Sequence, residues 1–164
     1  MKRLLVMRHA KSDWTTAASD HSRPLNPRGI AAAKAMGELL ASMDETPDHA
    51  FTSSALRART TVQLAAESGR WSTIIEERDE LYGTSPEGAL AVAMEAPDVD
   101  RLMLVGHQPT WGGLVAHLTG GAVQVKTATV VGIDLYIADW ASAEDARGEI
   151  VYVLQPGMAA GDVE

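Results

Sequence analysis

The chain has no cysteine and only one phenylalanine among its 164 residues. The absence of cysteine excludes disulfides, a thiolate nucleophile and zinc sites built from cysteine ligands. Basic residues are also in the minority, 14 against 22 acidic ones, which gives a formal net charge of −8. A field of this sign repels nucleic acids and anionic membranes, so we expect neither as a partner. An anionic substrate would need a local cationic pocket.

Long apolar runs are missing as well. Only four apolar residues, Leu4 to Met7, separate the basic start Met1-Lys2-Arg3 from Arg8. Such a run is too short for a secretory leader or a spanning helix, and we expect a cytoplasmic protein. Hydrophobic residues make up 46% of the chain, enough for one well-buried core. We predict one domain over residues 1–156 and a frayed C-terminal tail over 157–164.

What the sequence does contain is an alternation of short apolar runs with helical patterns. We predict strands at residues 2–7, 49–52, 74–75, 101–105, 129–137 and 149–154. Helices are predicted from Pro27, from an N-cap at Ser53 or Ser54 to about Glu67, from Pro86 to Glu95, and from Pro109 to about Leu118. The alternation predicts a single-domain α/β fold with a largely parallel sheet.

Two histidines follow two of these runs directly. The pair Arg8-His9 comes after Leu4 to Met7, and His107 comes after the run from Leu102 to Gly106. Runs of this kind are typical of strands covered on both faces, and ligands bind beyond the carboxyl ends of such strands. Arg57 falls in the first turn of its predicted helix. We therefore expect these side chains to share one site.

Arg8, His9, Arg57 and His107 would together form a cationic pocket that suits a phosphoryl group, because guanidinium groups match phosphate oxygens. One neutral imidazole could attack phosphorus while the arginines neutralise the equatorial oxygens. The second imidazole could donate a hydrogen bond to the same oxygens. The attacking ring must present an unprotonated nitrogen, so we expect its other nitrogen to meet an acceptor, a backbone carbonyl.

The leaving group would take a proton from a carboxylic acid near the pocket. Glu80 is the first candidate and Asp20 is the alternative. A metal site on His9 and His107 is a competing interpretation, but the sequence has no HExxH motif and no second closely spaced histidine.

The remaining histidines and the tryptophans suggest no chemistry. His21, His49 and His117 have no visible partners in the sequence. We expect the four scattered tryptophans to anchor a core or an interface; they are Trp14, Trp71, Trp111 and Trp140.

Three motifs in this order resemble those of the histidine phosphatase superfamily, which has the phosphoglycerate mutase-like fold. Arg8-His9-Ala10 resembles the family's Arg-His-Gly, with alanine at the third place. The stretch from Ser54 to Thr61 resembles Ser-Pro-x-x-Arg-Ala-x-x-Thr, with Ala55 read in the place of the proline. Val105-Gly106-His107 resembles the second histidine motif.

Within the superfamily, the short chain and the stretches Arg23 to Gly29 and Gly106 to Pro109 are similar to the SixA-type phosphohistidine phosphatases. The resemblance implies a three-layer α/β/α sandwich without a large cap insertion. It also implies that His9 becomes transiently phosphorylated and that no metal or other cofactor is required. The residues implied to bind the phosphoryl group are Arg8, Arg57 and His107, with Arg23 reaching the same pocket from the first loop.

The expected function is a phosphatase that works through a phosphohistidine intermediate on His9. A phosphorylated protein or a small phosphorylated metabolite would be its substrate. A phosphomutase and a non-catalytic phosphoryl-recognition module are the alternatives, and the sequence leaves the oligomeric state open.

Overall fold

The computed structural model describes residues 1–158, which form one α/β domain. The strands are β1 (Lys2–Arg8), β2 (His49–Ser53), β3 (Ile74–Arg78), β4 (Arg101–Gly106), β5 (Val130–Leu135) and β6 (Gly148–Leu154), and the helices are α1 (Pro27–Ser42), α2 (Leu56–Gly69), α3 (Pro86–Ala93) and α4 (Thr110–Thr119). Short 3-10 helices cover Asp79–Leu81 and Trp140–Asp145. None of the helices in this range is both long enough and apolar enough to cross a membrane. The predicted tail lies outside the described residues from position 159 onward.

The six strands form one sheet in the order β3-β2-β4-β1-β5-β6. The pairs β2–β3, β2–β4 and β1–β4 are parallel, whereas β5 runs antiparallel to both β1 and β6. The prediction of an α/β fold with a largely parallel sheet is confirmed. Because β1 and β4 are adjacent and parallel, the segments that follow them leave the sheet at the same edge.

The central strand β1 is buried on both faces, which explains its unbroken apolar run. Leu4 and Val6 belong to a core that contains side chains of α3 and α4. Leu5 and Met7 belong to a second core, on the opposite face, that contains side chains of α1 and α2. Alternating side chains of one strand thus enter two cores. The predicted three-layer arrangement is confirmed.

Helix α1 begins as the sequence predicts. The Asn26 side chain accepts a hydrogen bond of 2.8 Å from the Gly29 amide, and Pro27 occupies the first turn. Farther along, Gly37 allows α1 to approach α2 closely, since a Cβ there would lie 2.0 Å from the carbonyl oxygen of Ala65. This approach packs α2, the helix that contains Arg57, against α1.

Helix α2 corrects the predicted N-cap. Neither Ser53 nor Ser54 caps it; the N-cap residue is Ala55, with no side-chain hydrogen bond. Both serine hydroxyls point elsewhere, to His107 and to His21 respectively. Smaller differences occur at other ends: α3 stops at Ala93 instead of Glu95, Pro109 precedes α4 instead of starting it, and β5 is shorter than the predicted strand.

The four tryptophans differ in burial, and Trp71 is partly buried against the second core. Trp111 and Trp140 are buried, and the Trp111 indole Nε1 donates a 2.8 Å hydrogen bond to the carbonyl of Met7, at the end of β1. Trp111 packs so tightly on Gly106 that a Cβ at that position would lie 2.6 Å from the indole. Trp14 is 79% exposed, so the expectation of a core role is wrong for it, whereas an interface role stays a prediction.

Candidate active site

A cleft of about 800 Å³ opens at the carboxyl ends of β1 and β4. The two strands pair in register there, Arg8 against Gly106, so that His9 and His107 leave the sheet side by side. Their ring centroids lie 5.3 Å apart. Of the residues that the sequence predicts for the site, the cleft is lined by Arg8, His9, Asp20, Arg23, Arg57 and His107. Other lining residues include Lys11, Ser12, Trp14, Asn26, Tyr82, Gln108 and Thr127.

The imidazole of His9 is held in one tautomer. Its Nδ1 lies 2.7 Å from the carbonyl oxygen of Ala10, so Nδ1 carries the proton and Nε2 keeps its lone pair. The predicted backbone acceptor is confirmed. The pKa of His9 is lowered to about 3, chiefly by burial, with an opposing effect of the Ala10 hydrogen bond and smaller lowering effects of His107, Arg57 and Arg8. His9 is therefore neutral at physiological pH.

The loop after His9 accepts alanine without strain. Ala10 is absent from the residues of the described chain that have a positive φ, so the Arg-His-Gly motif needs no glycine here. The Ala10 amide donates a 2.9 Å hydrogen bond to Thr61 Oγ1, and the same hydroxyl donates to the carbonyl of Arg57 at 2.6 Å. Thr61 thus ties the His9 loop to the first turn of α2.

His107 lies between a serine and an arginine. Its Nε2 is 2.8 Å from the Ser53 hydroxyl, and its Nδ1 is 3.4 Å from Nη2 of Arg57. The pKa of His107 is lowered to about 4, chiefly by burial and next by the guanidinium of Arg57. Both rings at the centre of the cleft are consequently neutral, which removes the repulsion that two imidazolium groups would produce.

The arginines carry the positive charge of the cleft. Arg8 donates to the carbonyl of Val125 at 3.1 Å and has no carboxylate within 4.0 Å among residues 1–158. Arg57 donates through Nη1 to the carbonyl oxygen of Asp20 at 2.7 Å. Arg23 donates to the Ser12 hydroxyl at 2.5 Å. The charge of Arg8 is thus left for an anion in the cleft to neutralise.

Asp20 is the carboxylate that the fold brings into the cleft. It accepts hydrogen bonds from the Tyr82 hydroxyl at 2.5 Å, from Arg23 at 2.9 Å and from Arg57 Nη2 at 3.3 Å. The Tyr82 hydrogen bond is the largest of the causes that lower the pKa of Asp20 to about 2. Asp20 is therefore an ionised bridge between two arginines and is poorly suited to donate a proton.

Glu80, the first candidate acid, is not among the residues that line the cleft. It lies in the 3-10 helix after β3, is exposed, and accepts hydrogen bonds of 3.1 and 3.2 Å from Arg78. The Arg78 hydrogen bonds lower its pKa. The expected position at the pocket mouth is thus corrected, because Arg78 at the end of the edge strand holds the carboxylate away from the cleft.

Several residues of the site were missed by the sequence reasoning. Ser53 could have been found by counting: the first serine of the motif stands four residues before Arg57, which is Ser53 and not Ser54. Trp14 could not have been found in this way, because nothing in the sequence indicates that its indole stacks on the guanidinium of Arg23. The distance from Arg23 Cζ to the ring centroid is 3.5 Å. His21 also has an unforeseen partner, the Ser54 hydroxyl at 2.9 Å.

Two other histidines lie away from the cleft. His49 accompanies Glu76 at 2.7 Å, and His117 is exposed on α4. No group of three or more histidine, aspartate or glutamate side chains among residues 1–158 is arranged to hold a metal ion. A metal bound by His9 and His107 would thus have no third ligand of these types in the described part of the chain.

Comparisons with known proteins place this geometry in a family. Residues 4–84 match the model of the histidine phosphatase superfamily (branch 1). An uncharacterized protein of Mycobacterium tuberculosis is 31% identical over 163 residues, which cover 94% of this chain and 95% of that protein.

Solved structures agree with this match. A Nakamurella multipartitia protein assigned as phosphohistidine phosphatase SixA has a TM-score of 0.82 and 29% identity, over 94% of this chain and 96% of its own. An Agrobacterium tumefaciens protein with the same assignment has a TM-score of 0.80 and 27% identity, over 95% of this chain and 99% of its own. The chain belongs to the histidine phosphatase superfamily.

Proposed function

We propose that this protein is a phosphatase that hydrolyses phosphohistidine or related phosphoryl compounds through a covalent phosphohistidine on His9. The observation that carries the proposal is the state of His9: a neutral ring, with Nδ1 bonded to the Ala10 carbonyl, in a cleft that also contains Arg8 and Arg57. A nucleophile beside uncompensated cationic charge suits attack on an anionic phosphoryl group.

In the first step, the Nε2 lone pair of His9 forms a bond to phosphorus. The bond from phosphorus to the leaving group breaks, and its electron pair goes to the leaving group. Arg8, Arg57 and Arg23 neutralise the charge on the phosphoryl oxygens. In the second step, water attacks phosphorus and the bond between phosphorus and Nε2 breaks, so that its electron pair returns to Nε2 of His9. The protons of the water leave with the released phosphate or pass to solvent.

His107 binds the phosphoryl group in this scheme. Without an anion in the cleft, Arg57 Nη2 can only donate to Nδ1, so the proton of the neutral ring is on Nε2 and faces the Ser53 hydroxyl. When a phosphoryl group takes the Arg57 donor, the Ser53 hydroxyl can donate to Nε2 and the ring proton is then on Nδ1. From there it can be donated to a phosphoryl oxygen. Ser53 is then a positioning residue that selects the tautomer.

The carboxylates of the site favour one class of leaving group. Asp20 is held ionised by Tyr82, and Glu80 is bound to Arg78 outside the cleft. An alkoxide leaving group requires an acid at this point, whereas the imidazole of a phosphohistidine, protonated on its other nitrogen, leaves as a neutral molecule. The lack of a poised acid in the described cleft supports phosphohistidine over alkyl phosphates.

The shape of the cleft supports hydrolysis. The segment between β1 and α1 contains no helix, and the segment between β3 and α3 contains only the short 3-10 helix Asp79–Leu81. Neither forms a large cap over the cleft, so water can reach His9. A mutase must keep its phosphoryl group from water until the second hydroxyl receives it. The same open mouth would admit a phosphorylated side chain on a protein surface.

The test is intact-mass analysis after rapid quenching at neutral or alkaline pH, with para-nitrophenyl phosphate as substrate. We expect an acid-labile adduct of one phosphoryl group in the wild type, none in His9→Ala, and an unchanged adduct in the matched control His117→Ala. EDTA should leave the rate unchanged. Phosphate binding without adduct or turnover would identify a recognition module instead, and a metal-restored rate would favour the metal interpretation.

A further inference from the structure

A second cavity, of about 290 Å³, adjoins the catalytic cleft and shares Lys11 and Thr127 with it. Three cationic side chains line this cavity, and we call them the basic patch: Lys11, Arg28 and Lys126. The other lining residues are Ala32, Thr127, Gln155 and Pro156, so no acidic side chain belongs to the described lining. Cationic side chains therefore line both cavities, and Lys11 lies in the wall that they share.

The basic patch differs from half of the fourteen lysines and arginines in lacking a carboxylate partner among the described residues. Within residues 1–158, seven cations have a carboxylate within 4.0 Å; they are Lys2, Arg3, Arg23, Arg57, Arg59, Arg78 and Arg101. The three residues of the basic patch are exposed, and none of them forms an ion pair with another described residue. In a chain of net charge −8, three such cations around one cavity form a local positive field.

The basic patch is also fixed relative to the catalytic cleft. Lys11 stands two residues after His9, and Arg28 lies in the first turn of α1. Lys126 follows Val125, whose carbonyl accepts a hydrogen bond from Arg8. A substrate that occupies the cleft therefore meets the basic patch at a set distance from the reacting phosphoryl group.

We infer that the basic patch docks an acidic segment of a phosphoprotein substrate, beside the phosphorylated histidine that enters the cleft. Exposed lysine and arginine side chains each bind a carboxylate weakly, so several carboxylates presented together suit this surface better than one compact anion. The inference rests on the phosphatase function proposed above. According to this inference, the charge of the residues next to the phosphorylated histidine determines which substrates are preferred. The chemistry at His9 is the same for all of them.

The test uses two synthetic phosphohistidine peptides, one flanked by three glutamates and the other by three glutamines, and para-nitrophenyl phosphate as the small reference. Three exposed contacts at roughly twofold each should give the acidic peptide an advantage of about eightfold in kcat/KM. The advantage should disappear in about 0.5 M NaCl, where the Debye length is only a few ångströms.

Variants distinguish an effect of the basic patch from an effect of the net charge of the protein. Arg28→Glu and Lys126→Glu should abolish the advantage of the acidic peptide and leave the rate with para-nitrophenyl phosphate unchanged. The matched control is Lys34→Glu, because Lys34 is an exposed cation of the same helix that lines neither cavity. It should keep the advantage.

The two proposals fail in different ways. Equal rates for both peptides, with His9-dependent hydrolysis of all three compounds, would overturn the docking role and leave the phosphatase function standing. Equal loss of the advantage in Lys34→Glu would also overturn it, since the effect would then come from net charge. No hydrolysis of any compound by the wild type would overturn the function, and the docking role with it.

Discussion

The hydroxyl of Ser53 lies 2.8 Å from Nε2 of His107 and also accepts the amide of Ala55 at 3.2 Å. Ser53 is fully buried at the end of β2, and His107 follows β4, its neighbour in the sheet. The pairing of two parallel strands therefore sets the orientation of an imidazole in the cleft. It also means that one of the two serines expected to cap α2 serves the site instead.

Ser53→Ala should lower kcat/KM for para-nitrophenyl phosphate by roughly tenfold, in line with the loss of one buried hydrogen bond. His107 would lose the group that selects its tautomer, and the 15N shifts of its ring should report the change. Ser53→Thr keeps the hydroxyl and should restore most of the rate. A full rate in Ser53→Ala, with unaltered ring shifts, would remove the positioning role.

Thr61→Val should destabilise the protein by about 1–3 kcal/mol, because the buried Ala10 amide loses its acceptor. The measurement is urea unfolding. Thr61→Ser keeps the hydroxyl, and its free energy of unfolding should fall much less. Thr60→Val is the matched control on the next residue of α2, and a similar loss there would show that the hydroxyl of Thr61 is not the cause.

Stability should fall as the pH is lowered from 7 to 5. Burial holds the pKa of His9 at about 3 and that of His107 at about 4, while both take up protons near pH 6.5 in the unfolded chain. The unfolded state therefore binds more protons between pH 7 and 5. Each histidine should lower the free energy of unfolding by about 2 kcal/mol over this range. Asp20, with its pKa lowered to about 2, loses its contribution only below about pH 4.

The comparison of unfolding curves at the two pH values checks this. His107→Gln removes one titrating group and should reduce the pH dependence, whereas the exposed His117→Gln should leave it as in the wild type. Equal slopes for all three proteins would show that the buried rings do not govern the acid sensitivity.

Asp20→Asn should strengthen inhibition by inorganic phosphate several-fold. The carboxylate bridges Arg23 and Arg57, so its charge competes with any anion for the same donors. Competitive inhibition constants at fixed pH measure the effect. Weaker inhibition in Asp20→Asn would mean that the bridge organises the arginines for phosphate.

Glu80→Gln should change the rates with aryl and alkyl phosphates by less than about twofold, as expected for an exposed ion pair. Glu95→Gln is the matched control, since Glu95 also binds Arg78, at 2.6 Å. A large loss with alkyl phosphates in Glu80→Gln alone would restore Glu80 as the proton donor.

The site was only partly predictable from the sequence. His9, Arg8 and His107 follow apolar runs, and strand ends are visible in a hydrophobic pattern. Asp20 and Trp14 lie in the segment between β1 and α1, which has no periodic pattern, so their positions depend on contacts with Tyr82 and Arg23. The position of Glu80 was missed because Arg78 competes for its carboxylate, and that competition depends on how the edge strand ends.

The sequence by itself determined the elements, the α/β class with its largely parallel sheet and the two strand ends that supply the histidines, because apolar periodicity and helix-start residues act locally. Only the tertiary structure decided which partner each polar side chain takes. Hydrogen bonds such as Ser53 with His107 and Tyr82 with Asp20 join residues 54 and 62 positions apart. Such contacts depend on strand order and on distances in space, which a linear pattern of residue types does not contain.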